Sequence, residues 1–376
     1  MRYYLLAGEP SGDLHGAALL RALRDRDPAA EFRYWGGDRM AAVSGAPQKH
    51  VRDLAFMGFW EVATNLRTIL GFLDEAKRDI AAYRPDALIL IDYPGFNLRL
   101  AKWAKKQRIR TVYFISPQIW AWKESRLKTI KAAVDQMLVI LPFEQDWYAA
   151  RGYAVDYVGH PLVQITRAHP ERPDFRAAYG FDERPLIALL PGSRKQEIER
   201  LLDVMLRVVP HFADDYQFAI AGAPAQHADL YYTILQKYPS LPPIPLIPNE
   251  TYDLLRESHA ALVTSGTATL EAALFGVPQI VCYKSSGISY AIAKRLVKIK
   301  YISLVNLLLD RELVTELIQG DCNPERLRQE LTVLLGIEKY LRVGKGYAEL
   351  QRKLRADGDA AGKAAGLIVG GLGRFS

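Results

Sequence analysis

The sequence has few of the residues that mark secreted, zinc-binding or membrane-spanning proteins. Its 376 residues include two cysteines, Cys282 and Cys322, which lie far apart in the chain. This spacing gives neither a disulfide framework nor the cysteine pairs of a zinc site, so a reducing cytosol is the simplest interpretation. No apolar run approaches the ~20 residues of a membrane-spanning helix, and Glu9 and Asp13 interrupt the first run almost at once. We therefore expect a soluble or peripheral protein without a secretory signal.

Motifs for metal and cofactor binding are also missing. The D-x-D sequences are Asp25-Arg26-Asp27, which ends a charged helical stretch, and Asp357-Gly358-Asp359, which lies in the tail. Both are better interpreted as solvated surface than as a Mg²⁺ site. The glycines after the first apolar run do not form G-x-G-x-x-G, and no G-K-[ST] follows the small residues near Ser265. We predict that the protein uses neither a metal nor a cofactor.

An excess of negative charge is absent as well. The net charge is +7 and the isoelectric point is about 9.2, which favours an anionic partner. A phosphorylated substrate, an acidic membrane surface and a nucleic acid all have that property. The basic residues are spread over several helices without a recognised nucleic-acid-binding module, so we expect no nucleic-acid partner.

What the sequence does have is an alternation of short apolar runs and longer amphipathic runs. The predicted strands are residues 2–7, 31–35, 87–91, 111–115, 136–140, 186–190, 217–221, 261–263 and 279–283. The predicted helices are residues 14–24, 73–83, 98–107 and 144–150, with further helices after Ser193 and Thr267. Strands this apolar, separated by helices, are typical of a parallel sheet that is buried on both faces.

The pattern occurs twice along the chain. Residues 159–173 are rich in proline and charge and are predicted to be a linker, after which the strands restart. We predict an α/β protein with two Rossmann-like, doubly wound domains, residues 1–165 and 166–350, that face each other across a cleft. The tail, residues 351–376, is rich in glycine and alanine. We expect it to pack back on the first domain or on a partner subunit.

The first domain has two candidate sites directly after strands, where open parallel sheets bind ligands. Gly8-Glu9-Pro10-Ser11-Gly12-Asp13 follows the first strand and would carry Glu9 and Ser11 over the ligand. Asp92 follows strand 87–91, where poor solvation should raise its pKa and suit it to be a general base. The structural alternatives are a plain strand–helix turn with a capping serine, and an aspartate that accepts hydrogen bonds from loop N–H groups.

A third candidate follows strand 186–190 in the second domain. The stretch is Pro191-Gly192-Ser193-Arg194-Lys195-Gln196-Glu197, in which Ser193 and Gln196 have the spacing of a capping box. A helix N-terminus that carries Arg194 and Lys195 is a candidate anion site. A capped helix with solvated basic side chains is the alternative.

A fourth candidate is the run of small residues after strand 261–263. Ser265, Gly266, Thr267 and Ala268 leave backbone N–H groups uncovered, as a bound diphosphate requires. Glu271 lies one turn into the predicted helix, at a distance that suits ribose hydroxyls. This stretch is predicted to bind a nucleoside diphosphate.

Taken together, these stretches make the chain recognisable. It resembles the lipid-A-disaccharide synthase family in A-G-E-P-S-G-D (7–13), I-D-Y-P-G-F-N (91–97), S-P-Q-I-W-A-W-K (116–123), L-P-F-E (141–144), G-H-P (159–161), L-L-P-G-S-R (189–194) and T-S-G-T-A-T-L-E (264–271). Residues 293–308 and 311–319 resemble that family too. The resemblance covers nearly the whole chain in the family's order, and its motifs are specific jointly rather than singly.

The resemblance implies a fold and an activity. The family has the GT-B fold and joins UDP-2,3-diacylglucosamine to 2,3-diacylglucosamine 1-phosphate, giving a β-1,6-linked disaccharide 1-phosphate and UDP. It therefore implies an inverting glycosyltransferase of lipid A synthesis. The first domain would bind the acceptor on the lipid side, and the second would bind the UDP-sugar.

The resemblance also implies roles for particular residues. Asp92 matches the base on the acceptor 6-hydroxyl, Glu9 and Ser11 match essential residues of the first loop, and Asn306 matches an important asparagine. Arg194 matches the arginine that meets the leaving diphosphate. The residues that would hold the UDP-sugar are Gly192, Ser193, Arg194, Ser265, Gly266, Thr267, Ala268 and Glu271.

Two alternatives stay open at this point. Glu9 and Asp92 are both candidates for the base. A UDP-N-acetylglucosamine 2-epimerase-like enzyme of the same fold is the alternative activity, although it would need neither Glu9 nor an apolar surface for acyl chains.

The sequence departs from the family at one position of the second motif. The family often reads I-D-x-P-D-F-N, and Gly95 replaces the second acid here, so no role is expected at that position.

The resemblance further implies a location. The family acts at the cytoplasmic face of the Gram-negative inner membrane, so we expect a peripheral protein on an anionic surface. One helical face of residues 59–73 suits packing on the protein's own sheet and holds Phe59, Val62, Ala63, Leu66, Ile69, Leu70 and Leu73. Trp60 and Phe72 lie off that face, with Met57, so we expect these three to be exposed. Basic residues at 102–108 would suit the bilayer. A second basic stripe, Lys294, Arg295, Lys298 and Lys300, would meet either lipid headgroups or a substrate phosphate. The resemblance also allows a homodimer, because some members exchange C-terminal segments.

Overall fold

The computed structural model describes residues 1–54, 66–224, 226–287, 290, 299–354 and 359–372. These residues form two compact units. The first unit contains the chain up to Pro161 together with the C-terminal helix Ala360–Leu372, and the second unit runs from Leu162 to Leu354.

The first unit is built on a parallel sheet of seven strands. They are β1 (Arg2–Ala7), β2 (Glu31–Gly36), β3 (Lys49–His50), β4 (Ala87–Ile91), β5 (Thr111–Phe114), β6 (Gln136–Val139) and β7 (Asp156–Tyr157). Their order is β3-β2-β1-β4-β5-β6-β7, and every neighbouring pair is parallel. Because strand order reverses direction between β1 and β4, this is the topological switch point of a doubly wound sheet.

Helices cover both faces of this sheet. They are α1 (Pro10–Arg26), α2 (Asp38–Ser44), α3 (Val51–Leu54), α4 (Leu66–Tyr83), α5 (Pro94–Lys106), α6 (Leu127–Ala133) and α7 (Pro142–Ala149), with a short 3₁₀ turn at Glu124–Arg126. Alternate residues of β1 pack into two different cores: Tyr4 and Leu6 into one, Tyr3, Leu5 and Ala7 into the other. This is the two-residue period of a strand that is buried on both faces.

The second unit repeats the same topology with six parallel strands. They are β8 (Leu186–Leu190), β9 (Gln217–Gly222), β10 (Leu246–Pro248), β11 (Ser258–Thr264), β12 (Gln279–Tyr283) and β13 (Thr315–Ile318), in the order β10-β9-β8-β11-β12-β13. The helices from the unit boundary onward are α8 (Pro161–Ala168), α9 (Phe175–Ala178), α10 (Lys195–Leu206), α11 (Ala228–Leu235), α12 (Thr251–Glu257), α13 (Thr267–Leu274), α14 (Leu304–Leu309), α15 (Pro324–Leu335) and α16 (Ile337–Leu354). The switch point lies between β8 and β11.

The C-terminal helix α17 (Ala360–Leu372) belongs to the first unit. Ala364, Ala365 and Ile368 join the same buried cluster as Leu19 and Leu23 of α1. Small residues permit this close approach of two helices. A Cβ atom at Gly366, for example, would lie 3.2 Å from the guanidinium carbon of Arg26.

The fold class is the one expected from the sequence, with corrections at the edges. The strands predicted at 2–7, 87–91, 186–190 and 279–283 are confirmed to the residue. The strands that the pattern missed, β3, β7, β10 and β13, are the edge strands of the two sheets. The predicted linker is wrong at 161–168, because that stretch forms α8.

The helical face predicted near residues 59–73 is only partly described. Met57, Phe59, Trp60, Val62 and Ala63 lie outside the described residues, as does the side chain of Leu66. On α4, Ile69 and Leu73 are buried as expected, whereas Leu70 is 45% exposed. Phe72 was expected to be exposed, but it packs against the core, with the Lys49 ammonium 4.8 Å from its ring centroid. Across the described ranges, no helix is long and apolar enough to cross a membrane.

Candidate active site

The candidate residues of the first unit lie at its switch point. In the pairing of β1 with β4, Ala7 is opposite Ile91. Glu9 and Asp92 therefore follow two neighbouring strands at the same edge of the sheet. This is the edge where doubly wound sheets bind ligands.

Asp92 sits in a strained turn that several hydrogen bonds hold in place. Asp92 and Tyr93 have φ angles of 44° and 50°, in the left-handed region that residues with a Cβ atom seldom adopt. The Asp92 N–H donates to the Phe114 carbonyl oxygen at 3.1 Å, and the Asn97 side-chain amide donates to the Asp92 carbonyl oxygen at 2.8 Å. The Tyr113 hydroxyl donates to the same carbonyl oxygen. Such over-determined strain is typical of functional positions.

The environment of Asp92 changes its acidity. Burial, and then the negative charge of Glu9, raise the pKa of Asp92 from 3.8 to about 7, although a hydrogen bond from the Tyr93 backbone N–H acts in the opposite direction. The raised pKa expected at the end of a buried strand is therefore found. A carboxylate that titrates near neutral pH is suited to accept a proton during catalysis.

Glu9 and Ser11 lie at the start of α1, and both are exposed. Glu9 is the N-cap residue with an extended backbone, and its side chain makes no capping hydrogen bond. The alternative of a capping serine is wrong, because Ser11 lies inside the first helical turn. The loop is tightly packed, since a Cβ atom at Gly8 would lie 2.3 Å from the Tyr93 ring.

Asp13, the second acid of the first loop, has a structural role. Its carboxylate accepts hydrogen bonds from the backbone N–H groups of Gly37 at 2.6 Å, Met40 at 3.0 Å and Arg39 at 3.0 Å. It therefore satisfies donors at the start of α2, which would otherwise lack partners.

A buried polar cluster at the ends of β5 and β6 was missed in the sequence. The Glu144 carboxylate, 1% exposed, accepts from the Leu141 N–H at 3.0 Å and from the Trp120 indole N–H at 3.2 Å. Burial raises the pKa of Glu144 to about 7 against these hydrogen bonds. The hydroxyls of Ser116 and Tyr148 are 2.7 Å apart. The sequence signal for this cluster was the pair of motifs S-P-Q-I-W-A-W-K and L-P-F-E, because the hydrogen bond from Trp120 to Glu144 joins them.

In the second unit, Arg194 follows β8. It is the N-cap of α10, and its backbone N–H donates to the Glu197 carboxylate at 3.4 Å. The predicted capping pair, Ser193 with Gln196, is therefore wrong by one residue. Gly192 explains the difference. Its φ of 120° permits a tight turn, and the Glu197 carboxylate lies 2.8 Å from where a Cβ atom at position 192 would be. The Arg194 side chain is 83% exposed at this helix N-terminus, where an anion would be stabilised.

The small residues after β11 form the start of α13. Leu190 of β8 lies opposite Val263 of β11, so this loop and Arg194 leave neighbouring strands. Gly266 is the N-cap with φ 155°, Gly266 and Thr267 are exposed, and Ala268 is half-buried. Glu271 accepts a hydrogen bond from the Tyr252 hydroxyl at 2.8 Å, and burial raises its pKa.

Asn306 is fully buried, and both the nitrogen and the oxygen of its side-chain amide form hydrogen bonds within the protein. The amide nitrogen donates to the Val314 carbonyl oxygen at 2.8 Å and to the Glu316 carboxylate at 2.9 Å. The amide oxygen accepts from the N–H groups of Leu313 at 2.8 Å and Val314 at 3.0 Å. This geometry favours a positioning role for Asn306 over contact with the substrate.

Glu316 extends this network toward the candidate diphosphate loop, and sequence reasoning missed it. Its carboxylate accepts from the N–H of Ile302 at 2.9 Å, and from the N–H and hydroxyl of Ser303 at 3.0 and 2.8 Å. The Ser265 hydroxyl donates to the Ile302 carbonyl oxygen at 3.0 Å. Glu316 and Asn306 therefore support the loop that contains Ser265.

Metal ligands are not gathered in the described part of the chain. Within it, no group of three or more His, Cys, Asp or Glu side chains could hold a metal ion. Of the two D-x-D sequences, Asp27 accepts from the N-terminal ammonium at 3.0 Å and from the Tyr3 hydroxyl at 3.2 Å. Asp357 lies outside the described residues.

Solved structures with a similar fold place the chain in a class. A UDP-GlcNAc 2-epimerase from Neisseria meningitidis, bound to UDP-GlcNAc, matches with a TM-score of 0.66 and 13% identity over 100% of both chains. CalG4, the calicheamicin glycosyltransferase, matches with a TM-score of 0.61 and 17% identity over 100% of this chain and 99% of its own. These likenesses concern the fold alone. The chain has the two-domain α/β architecture of the GT-B glycosyltransferases.

Sequence comparison then gives the family. The family model of lipid-A-disaccharide synthetase matches residues 3–357. The lipid-A-disaccharide synthase of Syntrophus aciditrophicus is 42% identical over 336 residues, covering 88% of each chain. That of Trichlorobacter lovleyi is 37% identical over 372 residues, covering 98% of this chain and 97% of its own. The chain belongs to the lipid-A-disaccharide synthase family and is a glycosyltransferase.

The raised pKa of Asp92 has a consequence for stability. The pKa rises from an ordinary 3.8 to about 7 on folding, so the folded protein binds this proton more tightly and its stability falls as the pH rises through that window. Asp92→Asn removes the titration and suits a left-handed backbone. We expect the variant to unfold at a higher temperature than wild type at pH 8, with a smaller difference at pH 5, in calorimetry. Asp25→Asn is the control, and a pH-independent difference for Asp92→Asn would contradict the raised pKa.

Proposed function

We propose that this glycosyltransferase joins UDP-2,3-diacylglucosamine to 2,3-diacylglucosamine 1-phosphate, forming the β-1,6-linked disaccharide 1-phosphate and UDP. Membership of the lipid-A-disaccharide synthase family supports these substrates. The observation that carries the chemistry is Asp92, a carboxylate with a pKa of about 7 at the switch point of the first unit.

In this proposal Asp92 is the general base. Its carboxylate accepts the proton of the acceptor 6-hydroxyl while that oxygen attacks the anomeric carbon from the face opposite UDP. The bond from the anomeric carbon to the diphosphate oxygen breaks, UDP leaves with the electron pair, and the configuration inverts. Asp92 is preferred to Glu9 because Glu9 is exposed, whereas burial and the charge of Glu9 bring the pKa of Asp92 to the working range. Glu9 and Ser11 would orient the acceptor.

The second unit would bind the donor. Gly192, Ser193 and Arg194 would meet the diphosphate at the start of α10, and Ser265, Gly266, Thr267 and Ala268 would meet it at the start of α13. Glu271 would accept hydrogen bonds from the ribose. Negative charge grows on the diphosphate as it leaves, and fixed donors lower the barrier, each by a factor of ~100 to 1000 in rate. Asn306 would act by holding the loop of Ser265 in place.

The alternative of a 2-epimerase-like activity can be separated by one assay. Epimerases are among the similar folds, at 13% identity for the Neisseria meningitidis enzyme. We expect purified protein to release UDP from UDP-2,3-diacylglucosamine only when the acceptor is present, with one disaccharide formed per UDP. Product analysis by mass spectrometry and a coupled UDP assay measure both quantities. UDP release or sugar isomerisation without acceptor would contradict the proposal.

The role of Asp92 predicts a pH profile. The rate constant for turnover should rise with pH through an inflection near the pKa of about 7, because the base must be ionised. Glu9→Gln removes a charge that raises this pKa, so the inflection should move to lower pH. Asp92→Asn should lower turnover ~100- to 10,000-fold with UDP binding retained in calorimetric titration.

The control for this profile is Asp25→Asn, which removes a negative charge from the far end of α1 and should leave the inflection in place. If Asp92→Asn kept most of its turnover while Glu9→Gln lost it, Glu9 would be the base instead.

We also propose that the protein attaches peripherally to the anionic cytoplasmic face of the inner membrane through its first unit. A net charge of +7 supports this, as does Leu70, which is 45% exposed on α4. Lys102, Lys106 and Arg108 are exposed on or directly after α5, which packs against α4. Apolar residues beside basic ones suit an anionic bilayer.

We further propose that the protein forms a homodimer, and light scattering would measure its mass in solution.

The attachment predicts a vesicle-binding result. The protein should sediment with phosphatidylglycerol vesicles at low salt and much less with phosphatidylcholine vesicles or at high salt. Trp60→Ser with Leu70→Ser should weaken sedimentation. Leu341→Ser, at a residue that is 55% exposed in the second unit, is the matched control. Equal binding by all variants would refute attachment through the first unit.

A further inference from the structure

The segment from Ser116 to Arg126 is fixed to the first unit by buried polar contacts. The Ser116 and Tyr148 hydroxyls are 2.7 Å apart, and the Trp120 indole N–H donates to Glu144 at 3.2 Å. Trp120 also packs edge-on against Phe143, with ring centroids 5.0 Å apart. Because Phe143, Glu144 and Tyr148 are all on α7, the segment is held in one place before any ligand arrives.

Two cations at the end of this segment share one aromatic ring. The Lys123 ammonium lies 4.2 Å from the centroid of the Trp122 ring, and the Arg126 guanidinium lies 5.7 Å from it. Arg126 is half-buried. Burial lowers the pKa of both groups, and the charge of Arg126 lowers the pKa of Lys123 further. Lys123 is exposed, so solvent screens part of this repulsion, and a bound anion would offset the rest.

The acidic residue between these two cations in the chain is paired with another residue. Glu124, which lies between the two cations in the chain, accepts a hydrogen bond from the Arg151 guanidinium at 2.7 Å instead. Within the described ranges, neither Lys123 nor Arg126 forms a salt bridge with an acidic side chain. As far as the described residues go, both cations are thus left available to an external anion.

Arg126 is connected to the turn of the candidate base through Tyr113 and α5. Tyr113 of β5 is fully buried, and its hydroxyl donates to the Asp92 carbonyl oxygen. Burial raises the pKa of that hydroxyl, as does the charge of Asp92, whereas the charge of Arg126 lowers it. Tyr113 is opposite Leu90 of β4 in the sheet. Arg126 directly precedes α6, which packs against α5, and α5 begins two residues after Asp92.

We propose that Lys123 and Arg126 form a phosphomonoester site, and that they hold the 1-phosphate of the acceptor sugar while Asp92 receives the proton of its 6-hydroxyl. This rests on the proposed function. The C1 and C5 atoms of a hexose both flank the ring oxygen, and C5 carries the CH2OH group whose oxygen is the 6-hydroxyl, so the 1-phosphate and the 6-hydroxyl extend from the two ring positions beside that oxygen. A guanidinium donates two parallel hydrogen bonds to phosphate, and the ammonium adds a point charge. The Trp122 ring lies against both cations.

Steady-state kinetics with two acceptors test this site. One acceptor carries the 1-phosphate and the other is the same diacylglucosamine without it. We expect Arg126→Gln to raise the KM for the phosphorylated acceptor about 10- to 100-fold, as the loss of a charged hydrogen-bond partner typically does. Lys123→Gln should act in the same direction. The KM for UDP-2,3-diacylglucosamine and the KM for the unphosphorylated acceptor should match those of wild type. Arg126→Lys should recover part of the loss, and Lys128→Gln, at an exposed lysine of α6, is the control.

Two other measurements separate the outcomes. Titration with glucosamine 1-phosphate, followed by intrinsic fluorescence, should saturate for wild type and Lys128→Gln but not for Arg126→Gln. Equal loss of activity with both acceptors, or an unchanged titration of Arg126→Gln, would overturn the phosphate site. A fall in binding to phosphatidylglycerol vesicles for Arg126→Gln would assign the cations to lipid headgroups instead. If wild type binds glucosamine 1-phosphate but forms no disaccharide, the proposed function fails and the phosphate site stands.

Discussion

The parallel pairing of β1 with β4 is the contact on which the chemistry of the first unit depends. Ala7 lies opposite Ile91, so the chain leaves both strands at the same height and the two following loops must share one space. Both strands are buried on both faces. A slip of one residue would turn every side chain of the strand into the opposite core, so the packing of the two cores fixes the register. The charge of Glu9 thus reaches Asp92 because of how the core packs, and without a direct bond between the two side chains.

The second unit has the same strand order, but its switch point attracts negative charge, whereas that of the first unit carries it. At its switch point the loops after β8 and β11 present Arg194 and exposed backbone around Gly266, whereas the first unit presents carboxylates. Its support is a chain of hydrogen bonds from Ser265 through Ile302 and Glu316 to Asn306. A residue can therefore matter to the diphosphate loop while being fully buried and bonded only to protein, as Asn306 is.

The central strands could be predicted from the sequence because a strand buried on both faces is a continuous apolar run, as in Ala87–Ile91. The edge strands could not, since Lys49–His50 and Asp156–Tyr157 are two residues long and polar. Candidate residues at strand ends, Asp92 among them, followed from topology alone. Glu316, Lys123 and Arg126 did not, because their partners come from other elements: a carboxylate that joins β13 to residues 302–306 looks like any surface acid in one dimension.

Gly8 and Tyr93 give the first unit a constraint that neither residue shows alone. The ring of Tyr93 fills the volume that any side chain at position 8 would need, 2.3 Å from the nearest ring atom. Tyr93 directly follows Asp92 and shares its left-handed turn. A larger residue at position 8 would therefore displace the ring and, with it, the backbone that carries Asp92. A substitution at position 8 therefore needs a compensating smaller side chain at position 93, and this one steric contact couples the two loops.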